Sequence, residues 1–88
     1  MRTVTYSVSS IRALRRLRGD AALRVLVNIE QYAVNPGSLK ENVAKLRGRD
    51  GYRLRVAGRR IIFEEDDGVV AVLAVSPLDK LNFGAPNA

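Results

Sequence analysis

The chain has 88 residues, with fifteen Lys and Arg against nine Asp and Glu, a formal charge of +6, and 47% hydrophobic and 27% charged residues. This length suits one domain with one modest core over residues 1–88, and the balance is that of a globular chain. The absence of Cys and His excludes disulfides, thiolate or imidazole metal sites and Ser–His or Cys–His catalysis, so neither a metal nor a cofactor is expected.

Taken in chain order, Thr3 to Val8 alternates, with Val4, Tyr6 and Val8 on one side and Thr3, Thr5 and Ser7 on the other, which predicts a half-buried strand. Ser9-Ser10 offers an N-cap, and Ile11, Leu14 and Leu17 recur at helical spacing up to about Gly19. Asp20 can cap a second helix over 21–34, with Ala22, Leu26, Ile29 and Ala33 down one face. Asn35-Pro36-Gly37 stops it. A short apolar patch, Val43-Ala44 with Leu46, leads into the turn-rich stretch 47–51. Strands are then expected at 52–56, 60–65 and 69–75, joined by Ala57-Gly58 and by Asp66-Asp67-Gly68. The last of these is apolar enough to be an interior strand, and Pro77 ends it. The tail 82–88 is small and polar and is expected to be flexible.

The pattern predicts an α+β fold, β-α-α-β-β-β, with two helices on one face of a small, mainly antiparallel twisted sheet. Val69 to Val75, the longest apolar run, is far short of the ~20 residues of a membrane helix. The chain opens without a signal-peptide pattern, so a cytoplasmic protein with no membrane partner is expected.

Charge is concentrated. Between Lys40 and Arg60 lie eight basic residues and two acidic ones, and the remainder of the chain is neutral. Twelve of the fifteen cations are arginine, whose planar fork suits phosphate. Such a segment fits a polyanionic partner, nucleic acid before others, or a solvated face. Strand alternation puts Leu54 and Val56 opposite to Arg53 and Arg55, and if Ile61 and Phe63 join the former pair, Arg60 joins the latter. Lys45, Arg47, Arg49 and Arg59 are further basic candidates in the same segment.

The succession Lys45-Leu46-Arg47-Gly48, Gly51-Tyr52-Arg53-Leu54-Arg55-Val56, Gly58-Arg59-Arg60-Ile61-Ile62-Phe63 and Val69 to Val75 resembles the RelE/ParE superfamily of type II toxin–antitoxin toxins, its RelE branch in particular. The resemblance implies a ribosome-dependent messenger RNA endonuclease that cuts by attack of a ribose 2′-hydroxyl on the adjacent phosphate. It implies as partners a cognate antitoxin, the ribosome and messenger RNA, and operator DNA only through the antitoxin complex. Arg53 and Arg55 fall at the family's two basic positions on the second strand, and Arg60 at the arginine that grips the scissile phosphate. The family's later arginine and tyrosine or histidine fall near Leu78 and Phe83, so Lys80 and Phe83 become RNA-contact candidates, Phe83 by stacking alone. Arginine stays protonated and cannot act as a base, so Arg53, Arg55 and Arg60 would hold the backbone and neutralise charge. Lys45, Tyr52, Lys80 and the carboxylates Glu64, Glu65, Asp66, Asp67 and Asp79 remain as proton-transfer candidates. Two other readings stay open: a ParE-like gyrase inhibitor on the same fold, and a toxin without catalysis that acts only through its antitoxin and DNA.

Overall fold

A computed structural model describes residues 1–77. Strand β1 (Thr3–Tyr6) leads into helix α1 (Val8–Arg16) and helix α2 (Ala21–Val34), and a 3-10 stretch (Pro36–Asn42) then precedes β2 (Val43–Lys45), β3 (Tyr52–Val56), β4 (Arg59–Asp66) and β5 (Val69–Pro77). The sheet order is β1-β5-β4-β3-β2, antiparallel throughout except for the parallel β1–β5 pair. The α+β reading holds, with one strand more than the sequence suggested. Residues 43–45 pair with β3 as a fourth antiparallel strand. Three residues are too few to display a period, and only their hydrogen bonding to β3 makes them a strand. The expected tail at 82–88 lies outside the described residues, as do Leu78, Lys80 and Phe83.

One cluster of buried side chains holds the layers together. Val25, Ile29 and Tyr32 of α2 meet Leu54, Val56, Ile61, Phe63, Val70, Val72 and Val75 of the sheet. Ala22 and Leu26, expected at the centre of the buried face of α2, are only half-buried, while Val25 is fully buried. The helix is rotated so that Tyr32 can lie against Phe63, with ring centroids 5.0 Å apart. Tyr52 stacks on the same ring at 5.5 Å. Arrangements of this kind add about 0.5–1.5 kcal/mol each beyond their burial.

Helix α1 begins earlier than expected. The N-cap is Ser7, not Ser9 or Ser10; its hydroxyl accepts from the Ser10 backbone N–H at 3.0 Å. The same hydroxyl donates to the Leu73 carbonyl at 2.8 Å, and Val8 therefore enters the helix rather than the strand. Leu73 is the extra residue of a β-bulge: Ile62 pairs with Ala74 while Phe63 pairs with Val72. The bulge changes the parity of β5, so that Val70, Val72 and Val75 all reach the core although their spacing is not strictly alternate. Helix α1 also stops at Arg16, short of Gly19. Asp20 stands at the N-cap of α2 without a capping hydrogen bond, its carboxylate lying 3.5 Å from Arg24 instead.

A polar lock closes one side of the core. Tyr32 donates its hydroxyl to Glu65 Oε1 at 2.7 Å, and Arg2 donates Nε–H to Glu65 Oε2, tying the N-terminus, α2 and β4 together. Burial works to raise the pKa of Glu65, but the bonds from Tyr32 and Arg2 outweigh it and hold the carboxyl below its ordinary value. Burial and the Glu65 charge push the Tyr32 phenol up. A depressed folded-state pKa contributes stability above the ordinary carboxylate range and loses it as pH falls through the folded value. A raised phenol contributes stability below about pH 10 and loses it on further alkalinisation. Glu65→Gln is expected to destabilise by about 1–3 kcal/mol. Thermal melts from pH 3 to 7 should show a smaller acid-side loss in the variant than in the wild type, and equal slopes would remove the lock from the account.

Candidate functional site

The turn at Ala57-Gly58 has both residues at positive φ, +49° and +76°. This is the two-residue hairpin that matches strand twist, and it fixes the register of β3 against β4. Arg55 is then directly opposite Arg60, and Leu54 opposite Ile61. Continuing into neighbouring strands, one cross-sheet row reads Ala44, Arg53, Ile62, Ala74, and the next reads Arg55, Arg60, Ser76. Both rows lie on the face away from the helices, because Leu54, Val56, Ile61 and Val75 occupy the other. Directly opposed Cβ atoms stand roughly 4.5–5.5 Å apart and diagonal ones about 7–8 Å, so the three guanidiniums share one patch.

Its electrostatics are one-sided. Arg60 is half-buried; that burial, with the charges of Arg53 and Arg55, lowers its pKa. None of the three arginines takes part in a salt bridge among the described residues; the two pairs present are Arg2–Glu65 and Arg24–Asp20. The Nε of Arg60 is buried and has no hydrogen-bond partner among the described residues. The nearest carboxylate along β4 on that face is Glu64, four residues and about 13 Å of strand away. The floor beside the guanidiniums is small or apolar: Ala44, Ile62 and Ala74. Such a patch can receive a phosphate in a multidentate grip and offer a flat surface to what is attached to it.

Other basic candidates are not brought to this patch. Lys45 is opposite Tyr52, which is opposite Phe63, a row on the helix side, and it borders a pocket with Asp50, Glu65 and Asp66. Arg59 is opposite Val56 and Pro77, also on the helix side. Consecutive residues of a strand point to opposite faces, so Arg59 and Arg60 cannot serve the same ligand patch. Arg47 and Arg49 are exposed in the loop closed by Leu46 N–H donating to the Gly51 carbonyl at 3.0 Å, at the end of β3 remote from the 57–58 turn. Lys80 and Phe83 lie outside the described residues. Among proton-transfer candidates, Tyr52 is engaged with Phe63, and Glu65 with Arg2 and Tyr32. The residues missed from the sequence are Ser76, Ala74 and Ile62. The bulge at Leu73 hid the parity of β5, and Ile62 sits within an apolar run that reads as buried on both faces.

No protein-family model matches the sequence, and no curated protein does either. Solved structures do match it. A chain from the archaeal RelE–RelB complex of Pyrococcus horikoshii superposes with a TM-score of 0.74 at 26% identity, covering 86% of this chain and 93% of that one. A chain from the RelB–RelE complex of Methanococcus jannaschii gives 0.72 at 20% identity, with 93% and 99% covered. The isolated E. coli RelE toxin gives 0.71 at 21% identity, with 88% and 84% covered. The chain is RelE-like and has the fold of these toxins.

Three like charges in one patch repel one another, and the repulsion is screened by salt. Arg53→Gln and Arg55→Gln are each expected to raise stability by a few tenths of a kcal/mol at low ionic strength, a gain that disappears near 1 M salt. Denaturant melts at the two salt concentrations check this; a loss of stability at low salt would mean that the arginines are paired.

Proposed function

We propose that this chain is the toxin of a toxin–antitoxin pair, one domain over residues 1–88, and that it cleaves messenger RNA at the ribosome without a metal. The observation that carries the reading is the outer patch of Arg53, Arg55 and Arg60, with no carboxylate paired to it among the described residues and with Arg60 Nε left without a partner. The RelE fold supports it, as do solved structures of RelE bound to the antitoxin RelB, which make an antitoxin the natural protein partner.

In the proposed reaction the ribose 2′-oxygen attacks the adjacent phosphorus while the bond to the 5′-oxygen breaks. Negative charge grows on the non-bridging oxygens, and a fixed guanidinium cluster opposes it without reorganising. Arg60, flanked across the sheet by Arg55 and Ser76, would hold the scissile phosphate, and Arg53 and Arg55 would orient the flanking backbone. Three permanent cations supply no base, so these side chains carry orientation and charge stabilisation rather than proton transfer. Lys80 and Phe83 stay candidates for the remaining contacts, and Arg47 and Arg49 for peripheral phosphates.

Arg60→Ala is expected to lower cleavage by about 10²–10³-fold and to abolish growth arrest, with Arg53→Ala and Arg55→Ala weakening both. Melting should stay within about 0.5 kcal/mol of wild type, because the patch lies outside the core. Growth arrest on induction, primer-extension mapping of messenger RNA and thermal melts measure the three quantities. Wild-type cuts by a folded Arg60→Ala variant would reduce the patch to a solvated face. Arrest by the wild type with messenger RNA intact would favour the ParE-like gyrase reading.

Salt dependence provides a second check. Three phosphate contacts on single-stranded RNA give a slope of log affinity against log salt near −2. If all eight cations of the 40–60 segment acted together, the slope would be nearer about −6. A titration with a short single-stranded RNA separates the two.

A further inference from the structure

Along the outer face of β4 the side chains change character in a fixed order: Arg60, then Ile62, then Glu64 and Asp66. Cation, apolar group and anion follow one another at intervals of about 6.6 Å. Beside Ile62, strand β5 departs from alternation. Val72 and Val75 both reach the core, so Leu73 and Ala74 between them are turned together to the outer side, and both are half-buried. An unbroken alternation would have sent one of the two inward. The start of α1 pins this bulge, since Ser7 donates its backbone N–H to the Val72 carbonyl at 2.9 Å and its hydroxyl to the Leu73 carbonyl at 2.8 Å. Ile62, Leu73 and Ala74 therefore form a fixed apolar shelf, in the row of Arg53 and one strand step from Arg60.

We propose that this shelf is a base subsite, which takes one unpaired nucleobase of the RNA strand whose phosphate lies on Arg55 and Arg60. The inference rests on the RNA reading given above and adds to it what the surface does with a base. A nucleotide presents a charged phosphate and, one sugar away, a flat face of low polarity. The sheet presents a row of cations and, one strand step away, a flat aliphatic surface whose half-exposed side chains are relieved of water when a base covers them. No side chain of the shelf carries a hydrogen-bond donor or acceptor, so a base is held by its face and its edge is not read. Recognition of this kind follows contact area, which favours a purine over a pyrimidine and does not separate adenine from guanine. Glu64 sets the boundary, because its carboxylate opposes a second phosphate beyond the shelf. The strand accordingly crosses β4 and does not run along it. Paired RNA does not fit, since its base faces are stacked within the helix.

The test uses the full chain and three labelled single strands of equal charge: six adenylates, six uridylates and six abasic ribose phosphates. Fluorescence anisotropy gives affinities, and NMR shifts of the Ile62 and Leu73 methyl groups locate the bases. The adenylate strand is expected to bind about fivefold or more tightly than the abasic strand, with the uridylate strand between them. That ratio should persist from about 50 to 200 mM salt while every affinity falls, because the base contribution is not ionic. Ile62→Thr keeps a β-branched residue in the strand and should bring the ratio below about twofold with the abasic affinity unchanged. Leu73→Ala should lower the ratio from the other side of the shelf, and it keeps the test valid if Ile62→Thr fails to fold. Arg60→Ala should weaken all three strands by the same factor. The proposal is overturned if bases add nothing to the abasic affinity, if uridylate binds more tightly than adenylate, or if the base contribution survives both shelf variants, as it would were Phe83 the stacking partner. An abasic strand that fails to bind, or that ignores Arg60→Ala, overturns the phosphate reading and the shelf with it. An abasic strand held through Arg60 without gain from its bases overturns the shelf alone, so the two failures are told apart.

Discussion

The register of the β3–β4 hairpin is the constraint on which the rest of the molecule depends. A two-residue turn with both residues at positive φ leaves no freedom to slip, and a slip of one residue would exchange the two faces of the strand. With the register held, Leu54 meets Ile61 and Tyr52 meets Phe63 on one face, and these pairs become the floor on which Tyr32 and Ile29 of α2 rest. The same register puts Arg55 against Arg60 on the other face. Core and charged patch are therefore two sides of one set of hydrogen bonds. Ala57 holds its left-handed conformation without the freedom of glycine, at a cost of about 1–2 kcal/mol that the hairpin's other pairings must offset.

A patch of like charge is a poor choice for stability alone. Arg60 is half-buried, lies beside two other guanidiniums and has an Nε with no partner among the described residues. Each feature opposes folding, since burial favours neutral groups and like charges repel. Elsewhere the fold handles its buried charges in the usual way. Glu65 receives hydrogen bonds from Tyr32 and Arg2, and the ionised carboxylate is favoured despite its burial. The contrast within one strand, six residues from Arg60 to Glu65, separates a charge that helps hold the structure from charges that find no partner among the described residues.

Much of this was legible in the sequence, and the parts that were not have specific causes. Period-two alternation over 52–56 and the hairpin signals at 57–58 and 66–68 located three strands and the common face of Arg53, Arg55 and Arg60. Strand β2 was not legible because three residues carry no period; it exists through its pairing with β3. The buried face of α2 was set about one position away from its true centre, since Tyr32 reads as a polar-tipped residue until Phe63 is seen to lie beside it. Ser7 reads as part of a strand in the sequence, because its bond to the Leu73 carbonyl depends on a bulge 66 residues away.

The charge distribution marks the limit of reading by segment. Eight cations between Lys40 and Arg60 look like one patch along the chain, and folding divides them. Parity sends Arg53, Arg55 and Arg60 to the outer face, and Lys45 and Arg59 to the helix side. The loop carries Arg47 and Arg49 to the far end of β3. A net charge of +6 can steer any polyanion toward the molecule at long range, because the field at that distance sums over every cation. At contact the sum no longer applies, and only side chains that share a face can hold one phosphate. The adjacent pair Arg59 and Arg60 illustrates this most directly: one peptide bond apart, both with an Nε that has no partner among the described residues, they face different surfaces. A single basic run thereby gives a thin sheet cations on both of its faces, and the division follows from nothing more than the alternation of a β-strand.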